Sequence, residues 1–180
     1  MPSSPKPQVR LGHCITIGQT ESGKSLLNKQ LARTRYKAHG VKVIVLDVMQ
    51  DPDWEADEMF DDADEFLAYV KDPDMCLQAA LFIDEAGQSI NKYLEAFNWL
   101  TTQSRHFGHQ THLITQRAEM VSPTIRNQCL TVFAFNVNYR DAKKYSEDFN
   151  CKELLAAENL PQGHYIQKTR HKPIQRGRMW

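Results

Sequence analysis

The sequence predicts an α/β fold, a mainly parallel sheet with helices on both faces, and three observations predict it. Short apolar, β-branched runs alternate along the chain with segments of helical period, as where residues 13–17 precede residues 25–38. Between those two segments stands Gly18-Gln19-Thr20-Glu21-Ser22-Gly23-Lys24-Ser25, a G-x-x-x-x-G-K-[ST] loop, so strand, glycine loop and helix follow one another in order. Further on, the wholly apolar run Ala79-Ala80-Leu81-Phe82-Ile83 closes on Asp84-Glu85, as a central parallel strand does where its C-terminal edge enters a site.

Each element has its own signal. Residues 1–10 carry three prolines and little apolar content, and are expected to form an extended N-terminal arm ahead of a domain over residues 11–168. After the first strand and loop, a helix is predicted with Leu27, Leu31 and Ala38 inward, capped by Gly40, and then a strand over Val41–Leu46 ending at Asp47. Asp51–Glu55 reads as a loop and Asp61–Lys71 as an amphipathic helix burying Phe66, Leu67 and Val70. The carboxylates of that helix read as a solvated face with acids favouring its start, in preference to a metal site. Tyr93–Thr102 is predicted helical with Tyr93, Leu94, Phe97 and Leu100 inward. The strand Thr111–Thr115 ends in Gln116-Arg117, Ser122-Pro123 opens a helix with proline at its first position, and Leu130–Val137 is a further apolar strand. Helices over Asp141–Phe149 and Lys152–Ala157, a turn at Pro161-Gln162-Gly163 and a short strand at His164–Ile166 complete a β-α-β-α alternation, which implies parallel strands. Residues 169–180 are expected to be a basic C-terminal tail.

Composition narrows the function classes. With 180 residues, 41% hydrophobic and 24% charged, the chain suits one soluble domain with a sizeable core. Its apolar runs are strand-length and its start lacks the apolar core of a signal peptide, so no transmembrane segment is expected and a cytosolic protein or virion component is. Cys14, Cys76, Cys129 and Cys151 form no C-x-x-C pair and read as buried thiols. Twenty-two basic and 22 acidic residues cancel, yet acids crowd between Asp47 and Asp74, and nothing after Glu158 is acidic while Lys168, Arg170, Lys172, Arg176 and Arg178 follow. Any nucleic acid should meet the second region and not the first.

The chemistry is that of a nucleoside triphosphate. Residues Gly18 to Ser25 can curl into a nest of inward N–H groups, Lys24 can reach the β- and γ-phosphates, and the Ser25 hydroxyl can ligate Mg²⁺. Asp84 is positioned to hold the Mg²⁺ shell through water. Glu85 points elsewhere because strand side chains alternate, and can polarise a water for attack on the γ-phosphate; an Asp-Glu pair in this place could also cap a following helix. The Gln116 amide, at a strand tip beside the loop, can sense the γ-phosphate or that water.

The middle and end of the chain resemble a known group. Arg105-His106-Phe107-Gly108, Leu113-Ile114-Thr115-Gln116-Arg117, Ile125-Arg126-Asn127, Phe133-Ala134-Phe135-Asn136-Val137, Tyr139-Arg140-Asp141 and Leu160-Pro161-Gln162-Gly163-His164-Tyr165 resemble, in order and spacing, the FtsK/HerA superfamily of DNA-pumping ATPases. A bare motor of this size is similar to the genome-packaging ATPases of tailless icosahedral viruses with internal membranes. The resemblance implies a single RecA-like (ASCE) P-loop NTPase domain in which the phosphate-loop strand and the Asp84-Glu85 strand flank the Gln116 strand. It implies ATP and Mg²⁺ as ligands, double-stranded DNA and a capsid vertex as partners, a ring, expected to be a hexamer, and a place in the virion and the host cytoplasm. It assigns Lys24 and Ser25 to phosphate and metal, Asp84 to the metal shell, Glu85 to the general base and Gln116 to γ-phosphate sensing. An arginine finger acting on the neighbouring subunit is expected, with Arg105 the first choice and Arg117 and Arg126 behind it. For DNA contact, Lys92, His106, His109 and the basic tail are the candidates, the tail being equally suited to capsid or lipid.

Three other readings compete. A nucleoside kinase similar to the thymidine kinases pairs such a loop with an Asp-Glu strand, but carries C-x-x-C zinc ligands that this chain lacks. A filamentous-phage assembly ATPase has a similar Arg-His-x-Gly turn but needs a membrane span. A nucleotide-gated binding module would use the loop without hydrolysis.

Overall fold

The computed structural model describes residues 12–84 and 94–180. Among them, eight strands form one sheet: β1 (Cys14–Ile17), β2 (Val43–Leu46), β3 (Glu58–Phe60), β4 (Ala80–Ile83), β5 (Gln110–Thr115), β6 (Thr131–Ala134), β7 (His164–Thr169) and β8 (Gln175–Arg178). Their spatial order is β3-β2-β4-β5-β1-β6-β7-β8. The first six in that order pair in parallel, so β5 lies between β1 and β4, as the family resemblance implied. That order brings the C-terminal ends of β4, β5, β1 and β6 to one edge of the sheet.

The helices are α1 (Lys24–Leu31), α2 (Ala63–Lys71), α3 (Leu94–Thr102), α4 (Pro123–Gln128) and α5 (Tyr139–Asp148). Strand side chains alternate and supply both layers. On one face Ile15, Ile17, Ile44, Leu46, Leu81 and Ile83 pack with Phe66 and Val70 of α2, Phe97 and Leu100 of α3, Ile125 of α4 and Tyr145 of α5. On the other, Val43, Val45, Phe82 and Ile114 pack with Ala32, Tyr36 and Trp54, and Cys14 and Phe133 with Leu27. His112 is also buried on this side, stacked on Phe82 at 4.4 Å with its Nε2 2.7 Å from the Tyr36 hydroxyl. Such wholly buried strands explain the unbroken apolar runs in the sequence.

Caps set the helix starts. Asp62 accepts from the amides of Asp64 and Glu65 at α2, Ser122 from Ile125 at α4, and Asn138 from Asp141 at α5. Each satisfies amides that the first turn leaves without partners. All four cysteines are buried and unpaired. No helix among the described residues is long and apolar enough to cross a membrane.

The structure corrects four expectations. After α1 the chain makes a π turn over Ala32–Tyr36, which inserts one residue into the helical period. The inward face therefore runs Leu27, Leu31, Tyr36, and Ala38 is exposed. Strand β3 was not predicted; at the sheet edge, with Glu58 exposed and Met59 and Phe60 half-buried, it has no apolar run to reveal it. The β-α-β-α alternation stops at β6, because β7 and β8 are antiparallel. Residues 175–178, expected within a basic tail, form β8 instead. Gly177 lets this strand approach, since a Cβ there would lie 2.3 Å from Cζ of Tyr165.

Candidate nucleotide site

The loop from Gly18 to Ser25 leaves the end of β1 and is held by its neighbours. The amide of Gly18 donates to the Thr115 carbonyl at the end of β5 (3.3 Å), and that of Gln19 to the Asn136 carbonyl just beyond β6 (2.9 Å). Behind the loop, the turn at Pro161–Gly163 contributes two more bonds: Gly163 N–H to the Ser22 carbonyl (3.2 Å) and Gln162 Nε2 to the Glu21 carbonyl (3.0 Å). The chain passes through the left-handed region at Glu21 (φ 61°) and Gly23 (φ 105°), which curls it before Leu27 N–H donates to Gly23 and starts α1. A side chain at Gly18 has no room, for its Cβ would lie 2.5 Å from Ser22 Oγ and 2.7 Å from Phe135 Cβ.

Three polar groups converge on this curl. Lys24 is buried and its ammonium donates to the Gln19 carbonyl across the loop at 2.8 Å. The Ser25 hydroxyl donates to Asp84 Oδ2 at 3.2 Å, so the loop and the end of β4 meet where the metal was expected. Ser22 Oγ is buried with no hydrogen-bond partner, an orphan acceptor and donor in the floor of the cradle. A hydroxyl and carboxylate in contact, an ammonium held on the same loop and an unsatisfied hydroxyl fit a Mg²⁺–triphosphate. Asn28 fixes the base of α1 by donating to Thr16 Oγ1 on β1 (3.0 Å).

Gln116 follows β5 directly and lines a depression of about 320 Å³ with Gln19, Thr20, Arg117, Asn138 and Asp141. The structure thus assembles the loop, Ser25, Asp84 and Gln116. Glu85 and Lys92 lie outside the described residues. The sequence reading missed the partners that hold the cradle: Asn136 and Gly163 act through a backbone carbonyl and amide that any residue supplies, and the Gln162 side chain reaches Glu21 across 141 residues. It also missed Asp141, whose buried carboxylate accepts from the Ala118 amide (3.0 Å) and from Asn138 Nδ2 (2.8 Å) on the wall of that depression. The Asn-x-x-Asp spacing at 138–141 was the available signal.

The three candidate fingers have separate fates. Arg105 is exposed on the 3₁₀ turn Ser104–Phe107 ahead of β5, at the opposite end of that strand from Gln116, about 17 Å of strand away. It cannot serve its own chain's loop. Arg117 is half-exposed and pairs with Glu119 at 3.2 Å. Arg126 is buried, ion-paired to Asp148 at 2.6 Å, and donates to the carbonyls of Ala118 and Val121. Those bonds make it an internal brace. His106 is exposed, but His109 is buried, accepting from the Ala79 amide (3.1 Å) with its other nitrogen 3.0 Å from the Val70 carbonyl. Its place as a DNA contact is therefore withdrawn.

No family profile matches the chain, and no curated protein matches it by sequence. Solved structures do match it by fold. The genome packaging NTPase B204 from Sulfolobus turreted icosahedral virus 2, in complex with AMPPCP, superposes with a TM-score of 0.77 at 19% identity, over 92% of this chain and 96% of that one. The chain has the fold of B204. B204 has also been solved with AMP and with ATP-gammaS. VirB4 of Thermoanaerobacter pseudethanolicus matches over 93% of this chain and 88% of its own, with a TM-score of 0.67 at 10% identity. The cytoplasmic domain of the type VII secretion ATPase EccC from Thermomonospora curvata matches over 92% of this chain but 25% of its own, with a TM-score of 0.66 at 14% identity.

Proposed function

We propose that the chain is an ATP-hydrolysing motor of the FtsK/HerA type that pumps double-stranded viral DNA into a preformed capsid. It would work as a homo-hexameric ring at the packaging vertex of the virion, assembled in the host cytoplasm. The observation that carries the ATPase part is the Ser25–Asp84 hydrogen bond beside the Lys24 ammonium, which joins loop and strand β4 in one metal–phosphate site. The near end-to-end match with B204, a genome packaging NTPase, supports the motor part.

Ser25 and Asp84 would hold Mg²⁺, which when bound neutralises charge on the phosphate oxygens. The loop amides orient the triphosphate, and Lys24 exchanges the Gln19 carbonyl for phosphate oxygens, so the ammonium is already aimed before ATP arrives. Glu85 takes the proton of the attacking water, and Gln116, set by β5, aligns that water with the γ-phosphate. Arg105 would complete the site of a neighbouring subunit, its distance from the loop of its own chain being consistent with action in trans.

Hydrolysis measured against protein concentration, with and without duplex DNA, tests this reading. The rate per chain should rise cooperatively and rise further with duplex. Glu85→Gln should keep ATP binding and abolish turnover. A rate per chain that ignores both concentration and DNA would overturn the motor, and thymidine phosphorylation at turnover rates would replace it with a kinase.

A further inference from the structure

Trp180 stands over the phosphate loop. After β8, the Met179 amide donates to the Gly163 carbonyl at 2.9 Å and delivers the next residue onto the turn that braces the loop from behind. A Cβ on Gly163 would lie 2.6, 2.8 and 3.0 Å from Cε2, Cζ2 and Cδ2 of the indole, so the ring lies face-on to this glycine. Gly23 of the loop is the next neighbour, its would-be Cβ 3.4 Å from the indole Cη2. Yet Trp180 remains 58% exposed. With residues 21–26 it walls a depression of about 260 Å³.

This depression is separate from the one that Gln116 shares with Gln19 and Thr20. Ser25 meets Asp84, the pair read above as the metal site beside the outer phosphates. Leu26, one residue further along α1, lies past that pair, where the helix N-terminus would take the innermost phosphates and the nucleoside must leave. There the exposed indole offers an aromatic plane, on which any base can stack. We infer that Trp180 is the stacking wall for the base of the bound nucleotide. The inference rests on the nucleotide reading above and adds to it the recognition of the base, which Lys24, Ser25 and Asp84 do not provide.

Calorimetric binding of ADP and of inorganic tripolyphosphate to the full chain and to Trp180→Ala and Trp180→Phe tests it. Trp180→Ala should weaken ADP about tenfold and leave tripolyphosphate unchanged, and Trp180→Phe should keep most of the ADP affinity. Equal loss for both ligands in Trp180→Ala would show that the residue only supports the loop, and would overturn the stacking role. Unchanged ADP affinity would overturn it too, with the phosphate loop left standing. If the unsubstituted chain binds neither ligand, the nucleotide reading itself fails.

Discussion

The two ends of strand β5 hold similar residues and do opposite things with them. At its C-terminal end, Gln116 opens onto a depression beside the loop, and the polar groups around it face space that a ligand can fill. At its N-terminal end, His13 Nδ1 accepts from the Thr111 amide and His109 Nδ1 from the Ala79 amide, both at 3.1 Å. These are strand amides that the sheet leaves without a carbonyl, and the imidazoles close them off from water. Polar side chains at one end of a parallel strand are thus open to a ligand, and at the other they finish the sheet. Arg105 is the exception, exposed at the finished end.

The sharpest way to break this contrast is Arg105→Ala. If the arginine serves a neighbour, hydrolysis should fall about 10³-fold while ATP affinity holds, and mixing with Lys24→Ala subunits should restore part of the rate. Loss of ATP affinity in Arg105→Ala, or no recovery on mixing folded and assembled variants, would return Arg105 to the structural end. Arg126→Ala should act on stability instead, by about 3 kcal/mol in urea unfolding, because it strands the partly buried Asp148 carboxylate and two buried carbonyls. Unchanged stability with lost turnover would make Arg126 part of the chemistry. Gln116→Ala should slow hydrolysis about 100-fold with stability unaltered, and a variant that unfolds easily would place Gln116 with the braces.

A last test concerns the buried histidines alone. Burial first, then the Arg105 charge and His109, hold His13 down to about 4, and burial holds His112 down to about 3. Both lie below the ordinary histidine value of about 6.5, so below that pH the unfolded chain binds more protons than the folded one. Stability is whole above that pH and should fall as pH drops from about 6.5 towards 4, where His13 begins to protonate in the fold. Unfolding midpoints between pH 7 and 4.5 read this slope. A flat profile would mean that these rings are solvated.

Particular residues show what was legible and what was not. The central strands declared themselves because burial on both faces leaves unbroken apolar runs, as in Ala80–Ile83. The phosphate loop did so because glycines at 18 and 23 answer to steric demands that no other residue meets. The edge strands β3 and β8 stayed hidden, since an edge strand needs backbone partners more than apolar side chains. Tyr36 was missed because a π turn moves the helical phase by one residue, a shift that a regular period cannot express.

By itself the sequence determined the order of the central strands and the helices between them, the phosphate loop and Asp84 at the end of β4. These depend on neighbours in the chain, on periodicity and on local backbone geometry. The tertiary structure alone decided that Ser25 meets Asp84 across 59 residues, that Arg105 and Gln116 stand at opposite ends of one strand, that Arg126 is a brace, and that Trp180 returns to the loop. Such pairings arise from how the sheet is wound, and distance along a chain carries no record of distance in space.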